Sequence, residues 1–258
     1  MFSSLVQPST VSLFSSTGSL PLQLFETRND TTLPEDSFVH LLNDTTNIPA
    51  PPAPAKLVPI HTGQEGLKDS KTLIQTVLHI QSPTLPTTYI QCPPDSLSPS
   101  NPRGLGLKHP WVHVQSRDLG KEWSFEIGVA DQANRVGVVR LSTFQREPRL
   151  DTVGPFPLLH LPLIFPQRTD EYSGTTWSTI DLNLPRLLSA FTSPQLIDEN
   201  HPPPQVPLPS SAFSHVVYVR VYATCRLRRI WFSQSGPSQK SPWEFDLYGC
   251  DPAREQHQ

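Results

Sequence analysis

Between residues 214 and 233 the chain alternates apolar and polar positions with a period of two. Val217, Val219, Val221, Ala223, Cys225 and Leu227 fall on one side. Val216, Tyr218, Arg220, Tyr222, Thr224, Arg226 and Arg228 fall on the other. The pattern predicts a half-buried β-strand with a decorated outer face. Arg228 and Arg229 are adjacent and break the alternation, so a turn or bulge is expected there before Ile230-Trp231-Phe232 resumes an extended run. Shorter β patterns occur at 20–25, 72–80, 87–91, 111–115, 123–130, 135–144, 158–163, 175–182 and 243–248. Asp131-Gln-Ala-Asn134 reads as the turn of a hairpin. Residues 185–191 predict the one helix, with Asn183 as its cap and Pro185 in its first turn. Many short strands separated by turn signals predict an all-β fold: an antiparallel sandwich, jelly-roll-like, with one short helix.

Composition changes this picture in two places. Thirty prolines in 258 residues are more than twice the usual share, and they concentrate at 49–59 and 194–209. Segments 28–70 and 193–211 are therefore expected to be long disordered loops, which favour polyproline II and bury little. The first is either a plain linker or a docking peptide for a proline-recognising groove. The remainder is enough for a single domain across 1–248, with 249–258 as a tail. A net charge of −3 supplies no basic field for nucleic acid or anionic membrane. No run has the length and apolarity of a membrane span, and no basic segment precedes an apolar one as in a signal peptide.

Candidate chemistry is sparse. Cys92, Cys225 and Cys250 are odd in number and lack metal-ligand spacing, so reduced, buried, inert thiols are expected. His109 and His113 have helical metal-pair spacing, but on a strand they lie about 13 Å apart, too far for one ion. Gly104-Leu-Gly-Leu lacks the third glycine and following helix of a phosphate loop. No hydrolase or metalloprotease motif is present, so neither catalysis nor a cofactor or metal is expected. The strongest interaction candidate is Arg220, Arg226, Arg228 and Arg229 interleaved with Tyr218 and Tyr222. Arginine pairs bidentately with carboxylates and stacks on aromatics. The set is either an interface for an acidic partner or a solvated face with internal salt bridges.

Several blocks, in order, resemble the cilia- and flagella-associated protein 20 family. They are Ser12 to Phe25 with its Gly-Ser turn and Pro-Leu-Gln, Thr87-Thr-Tyr-Ile-Gln-Cys-Pro93, Leu105-Gly-Leu-Lys108 followed by Pro110, and Trp123-Ser-Phe-Glu-Ile127. Ser142-Thr-Phe-Gln145, Trp177 to Leu184, Cys225-Arg-Leu-Arg-Arg-Ile-Trp-Phe-Ser233 and Glu244-Phe-Asp-Leu-Tyr248 continue the series. Two differences stand out: residues 28–70 replace a short link, and Arg135 to Arg140 is mostly apolar where the family carries arginines. The resemblance implies a β-sandwich and a non-catalytic microtubule-associated component of the cilium, flagellum or centriole, within cytoplasm and cytoskeleton. Its partners would be tubulin and neighbouring axonemal proteins, with no nucleic acid and no membrane. Two alternatives remain open: a carbohydrate- or ligand-binding sandwich, and an adaptor that does not bind tubulin.

Overall fold

The computed structural model describes residues 7–49, 76–94, 104–166, 177–196, 206–240, 242 and 245. Among these, thirteen strands form two sheets that share one apolar core. The strands are β1 Thr10–Ser15, β2 Glu26–Arg28, β3 Phe38–Asn43, β4 Thr76–Gln81, β5 Tyr89–Cys92, β6 Trp111–Arg117 and β7 Ser124–Asp131. Then come β8 Val136–Ser142, β9 Arg149–Asp151, β10 Leu158–Pro162, β11 Trp177–Asn183, β12 Phe213–Tyr222 and β13 Cys225–Ser233. The six-stranded sheet runs β11-β6-β13-β4-β3, with β1 also on β13; the seven-stranded sheet runs β2-β5-β12-β7-β8-β10-β9. The sandwich is as expected, with one addition: β10 pairs with β8 in parallel, while every other ladder is antiparallel. Helix α1, Leu184–Ala190, begins where expected. Asn183 accepts from the Arg186 N–H at 3.0 Å, and Leu184 and Leu188 are buried.

The alternating stretch from 214 to 233 is two strands rather than one. β12 lies in the seven-stranded sheet and β13 in the six-stranded sheet. Between them Ala223 N–H donates to Thr88 O and Thr224 N–H to Glu122 O, which ends both ladders within two residues. The expected irregularity at Arg228–Arg229 is a bulge inside β13. A second bulge, between Val216 and Tyr218, was not anticipated. It shifts the phase, so Val216 enters the main core while Val217 joins Tyr218, Ala130 and Val138 in a separate cluster. From Val219 onward the expected phase holds, with Val219, Val221, Cys225 and Leu227 fully buried.

The reading of 28–70 as disordered is corrected for its first half. β3 pairs with β4 over six residues, Leu42 is buried, and Leu41 packs against the core. The polar flanks concealed a six-residue strand whose Val39 and Leu41 pack on the main core while Leu42, on the other face, joins Val77 and Trp177. Residues 50–70 lie outside the described residues. Likewise 20–25 is not a strand. Leu20 O accepts from Gln23 N–H and Leu22 O from Phe25 N–H, turns that follow from the Gly18, Ser19 and Pro21 signals. β1 precedes them. Of the loop expected at 193–211, its far end is anchored: Ser210 and Ser211 N–H both donate to the Asp131 carboxylate at 3.1 Å. The strand expected at 243–248 lies outside the described residues except for Phe245.

Asp131 is fully buried and also accepts from Ala133 N–H, Arg135 N–H and the Arg135 guanidinium, 2.7–2.9 Å away. Burial opposes its charge, but the Arg135 and Ser211 donors outweigh it and hold its pKa well below the ordinary carboxylate range. The unfolded carboxyl titrates near pH 4, so the native state binds fewer protons below that pH. This stabilisation is complete above about pH 5 and is lost as pH falls toward the folded value. Urea unfolding from pH 6 downward is expected to show stability falling below about pH 4, with a shallower fall in Asp131→Asn. Replacing 31–48 by a short Gly-Ser linker is expected to lower the melting temperature by roughly 10 °C, because β3 and its core contacts go with it. An unchanged melting curve would contradict the role given to β3.

Candidate functional site

The split between β12 and β13 divides the candidate residues between opposite outer faces. Tyr218, Arg220 and Tyr222 stand on the seven-stranded sheet; Arg226, Arg228 and Arg229 stand on the six-stranded sheet. The single arginine-tyrosine surface expected from the alternation is therefore not formed, since a phase pattern cannot show that the chain changes sheets.

On the seven-stranded sheet, one register row crosses every strand: Glu26, Gln91, Arg220, Glu126, Arg140, His160 and Arg149. Arg220 sits over the rings of Tyr89, Tyr222 and Tyr218, with its guanidinium carbon 4.6, 5.5 and 5.6 Å from their centroids. It donates to Gln91 Oε1 and to Tyr222 Oη at 2.7 Å. Tyr218 donates to Glu126 Oε1 at 2.6 Å, and Arg140 donates to Glu126 Oε2 from Nε and Nη2 at 2.9 and 2.8 Å. Gly128 makes this possible: a Cβ there would lie 2.4 Å from the Tyr218 ring. Burial first, then the Glu126 charge, push the Tyr218 hydroxyl well above its ordinary pKa, so it stays a donor. Arg220 is only 12% exposed and its donors are engaged, so it builds the face rather than contacting a partner.

On the six-stranded sheet the row is His40, His79, Arg226, Arg117 and Trp177. Asp44, just after β3, ties it together. Its Oδ1 accepts from Arg226 at 2.7 Å and Arg117 at 2.9 Å, and its Oδ2 from Trp177 Nε1 at 2.9 Å. Burial opposes the Asp44 charge, yet these donors lower its pKa. Arg226, 9% exposed, is also bonded to Asn47, so it belongs to the frame. The bulge places Arg228 and Arg229 side by side and half-buried. Arg228 lies 5.8 Å from the Trp177 ring and Arg229 4.9 Å from that of Phe245. Composition alone did not single out Asp44 or Arg117. Asp44 lay in the segment read as disordered, and Arg117 stands two positions beyond the strand expected at 111–115.

A third cluster also escaped the sequence reading. His113 Nδ1–H donates to Asp181 at 2.5 Å, and its Nε2 bonds the Ser233 hydroxyl at 2.7 Å. This has the order of a serine hydrolase relay. Here, however, Ser233 is 2% exposed, its Oγ accepts from Gly236 N–H at 3.1 Å, and Trp231 stacks on the imidazole at 4.8 Å. The relay is closed and acts as a clamp joining β11, β6 and β13. His109 instead donates to Pro8 O at 2.7 Å, so the two histidines serve separate contacts. Cys92 and Cys225 are free and fully buried, and burial pushes the Cys92 thiol up to about 12. Gly104, at φ +39°, lets Leu105 N–H reach Val217 O. Its segment therefore braces the β12 bulge.

Asp44→Asn is expected to destabilise the protein by about 2 kcal/mol, since two half-buried arginines lose their shared anion. Chemical denaturation measures this. A change within about 0.5 kcal/mol would show that Asn47 and the Asp44 carbonyl suffice.

The sequence matches the model of the CFA20 domain over residues 66–248. It is similar to cilia- and flagella-associated protein 20 of Chlamydomonas reinhardtii, 33% identical over 174 residues, covering 67% of this chain and 74% of the relative. The protein of the same name from Paramecium tetraurelia is 29% identical over 174 residues, covering 67% and 73%. That from Caenorhabditis elegans is 25% identical over 173 residues, covering 67% and 68%. With the family model spanning well over half its length and a relative 33% identical over 174 residues, the chain belongs to the CFA20 domain family.

Proposed function

We propose that this protein is a non-catalytic structural component of the cilium or flagellum, acting in the cytoskeleton, that meets the acidic surface of microtubules through its six-stranded sheet. The observation that carries the reading is the strip of Arg117, Arg226, Arg228 and Arg229 on one outer face, the first two of them bound to the Asp44 carboxylate. The names of its relatives, cilia- and flagella-associated proteins, support the compartment. Within the strip the labour divides. Arg117 and Arg226 are held by Asp44 and fix the surface, while the adjacent Arg228 and Arg229, half-buried beside the Trp177 and Phe245 rings, are the pair assigned to a partner's carboxylates.

Neither Trp177 nor Trp231 offers the carbohydrate alternative a platform. Trp177 lies beneath Arg228 with its indole N–H on Asp44, and Trp231 lies between His113 and Phe245. Sugar binding needs an open aromatic face, and both of these are occupied.

Microtubule co-sedimentation tests the reading. Wild type is expected to pellet at low salt and to release progressively as screening shortens toward about 8 Å at physiological ionic strength. R228E/R229E is expected to weaken binding by roughly tenfold or more, with melting temperature measured alongside. Arg226 is a poor choice of variant, because its reversal opposes Asp44 within the frame. Equal pelleting by wild type and the folded double variant would overturn the assignment of this face. No pelleting by wild type at low salt would overturn microtubule binding and leave the adaptor reading.

A further inference from the structure

The register row on the seven-stranded sheet is balanced at one end and unbalanced at the other. Up to Glu126, charges and polar groups alternate and bond to one another. Beyond it, the last positions on β8, β10 and β9 are Arg140, His160 and Arg149. Arg140 is held by Glu126, but Arg149 is exposed at the sheet edge. His160 lies between the two arginines in the register, and its Nδ1 is a buried polar atom with no hydrogen-bond partner. Beside the row, half-buried Leu158 and Phe156 pack on the Val138 cluster.

We infer that Arg140, His160 and Arg149, with Leu158 and Phe156 alongside, form a docking surface for an acidic segment of a protein partner. The surface lies on the face opposite the Arg228–Arg229 strip and does not rest on the microtubule reading.

Dimensions and charge favour this occupant. Adjacent strands are about 4.8 Å apart, so the row spans about 10 Å. An extended peptide crossing the strands presents alternate side chains about 7 Å apart on one face, which sets two carboxylates against the row and lays their methylene stems beside Leu158 and Phe156. A nucleic acid needs a longer cationic track and a net basic field. Here the chain carries −3, and Asp151 and Glu147 flank Arg149. Arginine at the edge supplies a bidentate carboxylate fork. The imidazole adds a pH response. Burial first, then the charges of Arg140 and Arg149, lower its pKa, while Asp151 and Glu126 act the other way. A carboxylate docked against it raises the pKa and draws in a proton.

Fluorescence anisotropy with a fluorescein-labelled peptide of alternating Glu and Leu tests the inference, against an alternating Lys-Leu control. The Glu-Leu peptide is expected to bind at low salt and weaken with added NaCl, while the control does not bind. R149E is expected to lose tenfold or more in affinity and R149A severalfold, with microtubule pelleting unchanged in both. Affinity is expected to rise as pH falls from 7 toward 6, and His160→Gln is expected to flatten that rise. The inference is overturned if wild type shows no salt-sensitive binding of the Glu-Leu peptide, or if folded R149A and R149E bind it as wild type does. It is equally overturned if polyuridylate or phosphatidylserine vesicles bind in an Arg149-dependent way and the peptide does not.

Discussion

The chain between Tyr222 and Cys225 must leave the middle of one sheet and enter the middle of the other. β12 has neighbours on both sides, β5 and β7, and β13 has β6 on one side and β4 then β1 on the other. Both sheets are therefore organised around one short crossover. Its backbone groups are taken up by Thr88 and Glu122, and the Thr224 hydroxyl both donates to Ser82 O and accepts from Ser82 N–H. Ala223 and Cys225 fill the core at the point of passage, each fully buried. Small side chains there let the sheets converge without a void.

Each outer face is then built the same way, by a cross-strand row in which a buried or half-buried carboxylate gathers several donors. Glu126 gathers Tyr218 and Arg140, and Asp44 gathers Arg226, Arg117 and Trp177. Removing the carboxylate would leave buried cations uncompensated, which is why these acids shape the surface even though they do not reach a partner. The arginines that remain at the margins, Arg228 and Arg229 on one face and Arg149 on the other, differ from Arg220 and Arg226 by position rather than chemistry. A bulge sets the first two side by side and half-buried, and a sheet edge exposes the third.

Much of this was legible in the sequence, for reasons that particular residues show. Trp123 to Ala130 and Arg135 to Phe144 pair as a hairpin because both alternate clearly and Asp131 to Asn134 carries turn residues. The α1 cap was legible from Asn183 and Pro185. The bulge at Arg228–Arg229 announced itself as two like residues in succession. By contrast, the bulge at Val216–Tyr218 was hidden because valines on either side make the shift in phase invisible. The strand β3 was hidden by its setting between polar and proline-rich runs. Of the candidate site, the sequence shows the arginines and tyrosines but not their grouping: alternation records which side a residue takes within a sheet and carries no mark of a change of sheet. Glu126, Asp44 and Asp181 come from distant segments, so only the folded register joins them to their arginine and histidine partners.

The crossover also has a mechanical meaning. A molecule held by different neighbours on its two outer faces is pulled apart across its apolar core, which resists separation only through contact. With both proposed contacts occupied, tension entering at Arg228–Arg229 would run along β13, pass through covalent bonds at Ala223–Thr224, and continue into β12. From β12 it spreads through ladders to β7, β8 and β10, and then to Arg149 on β9. The two sheets are thus tethered by the polypeptide itself at the centre of the load path. Strain between neighbours on opposite faces is borne first by the hydrogen-bonded ladders that flank that tether.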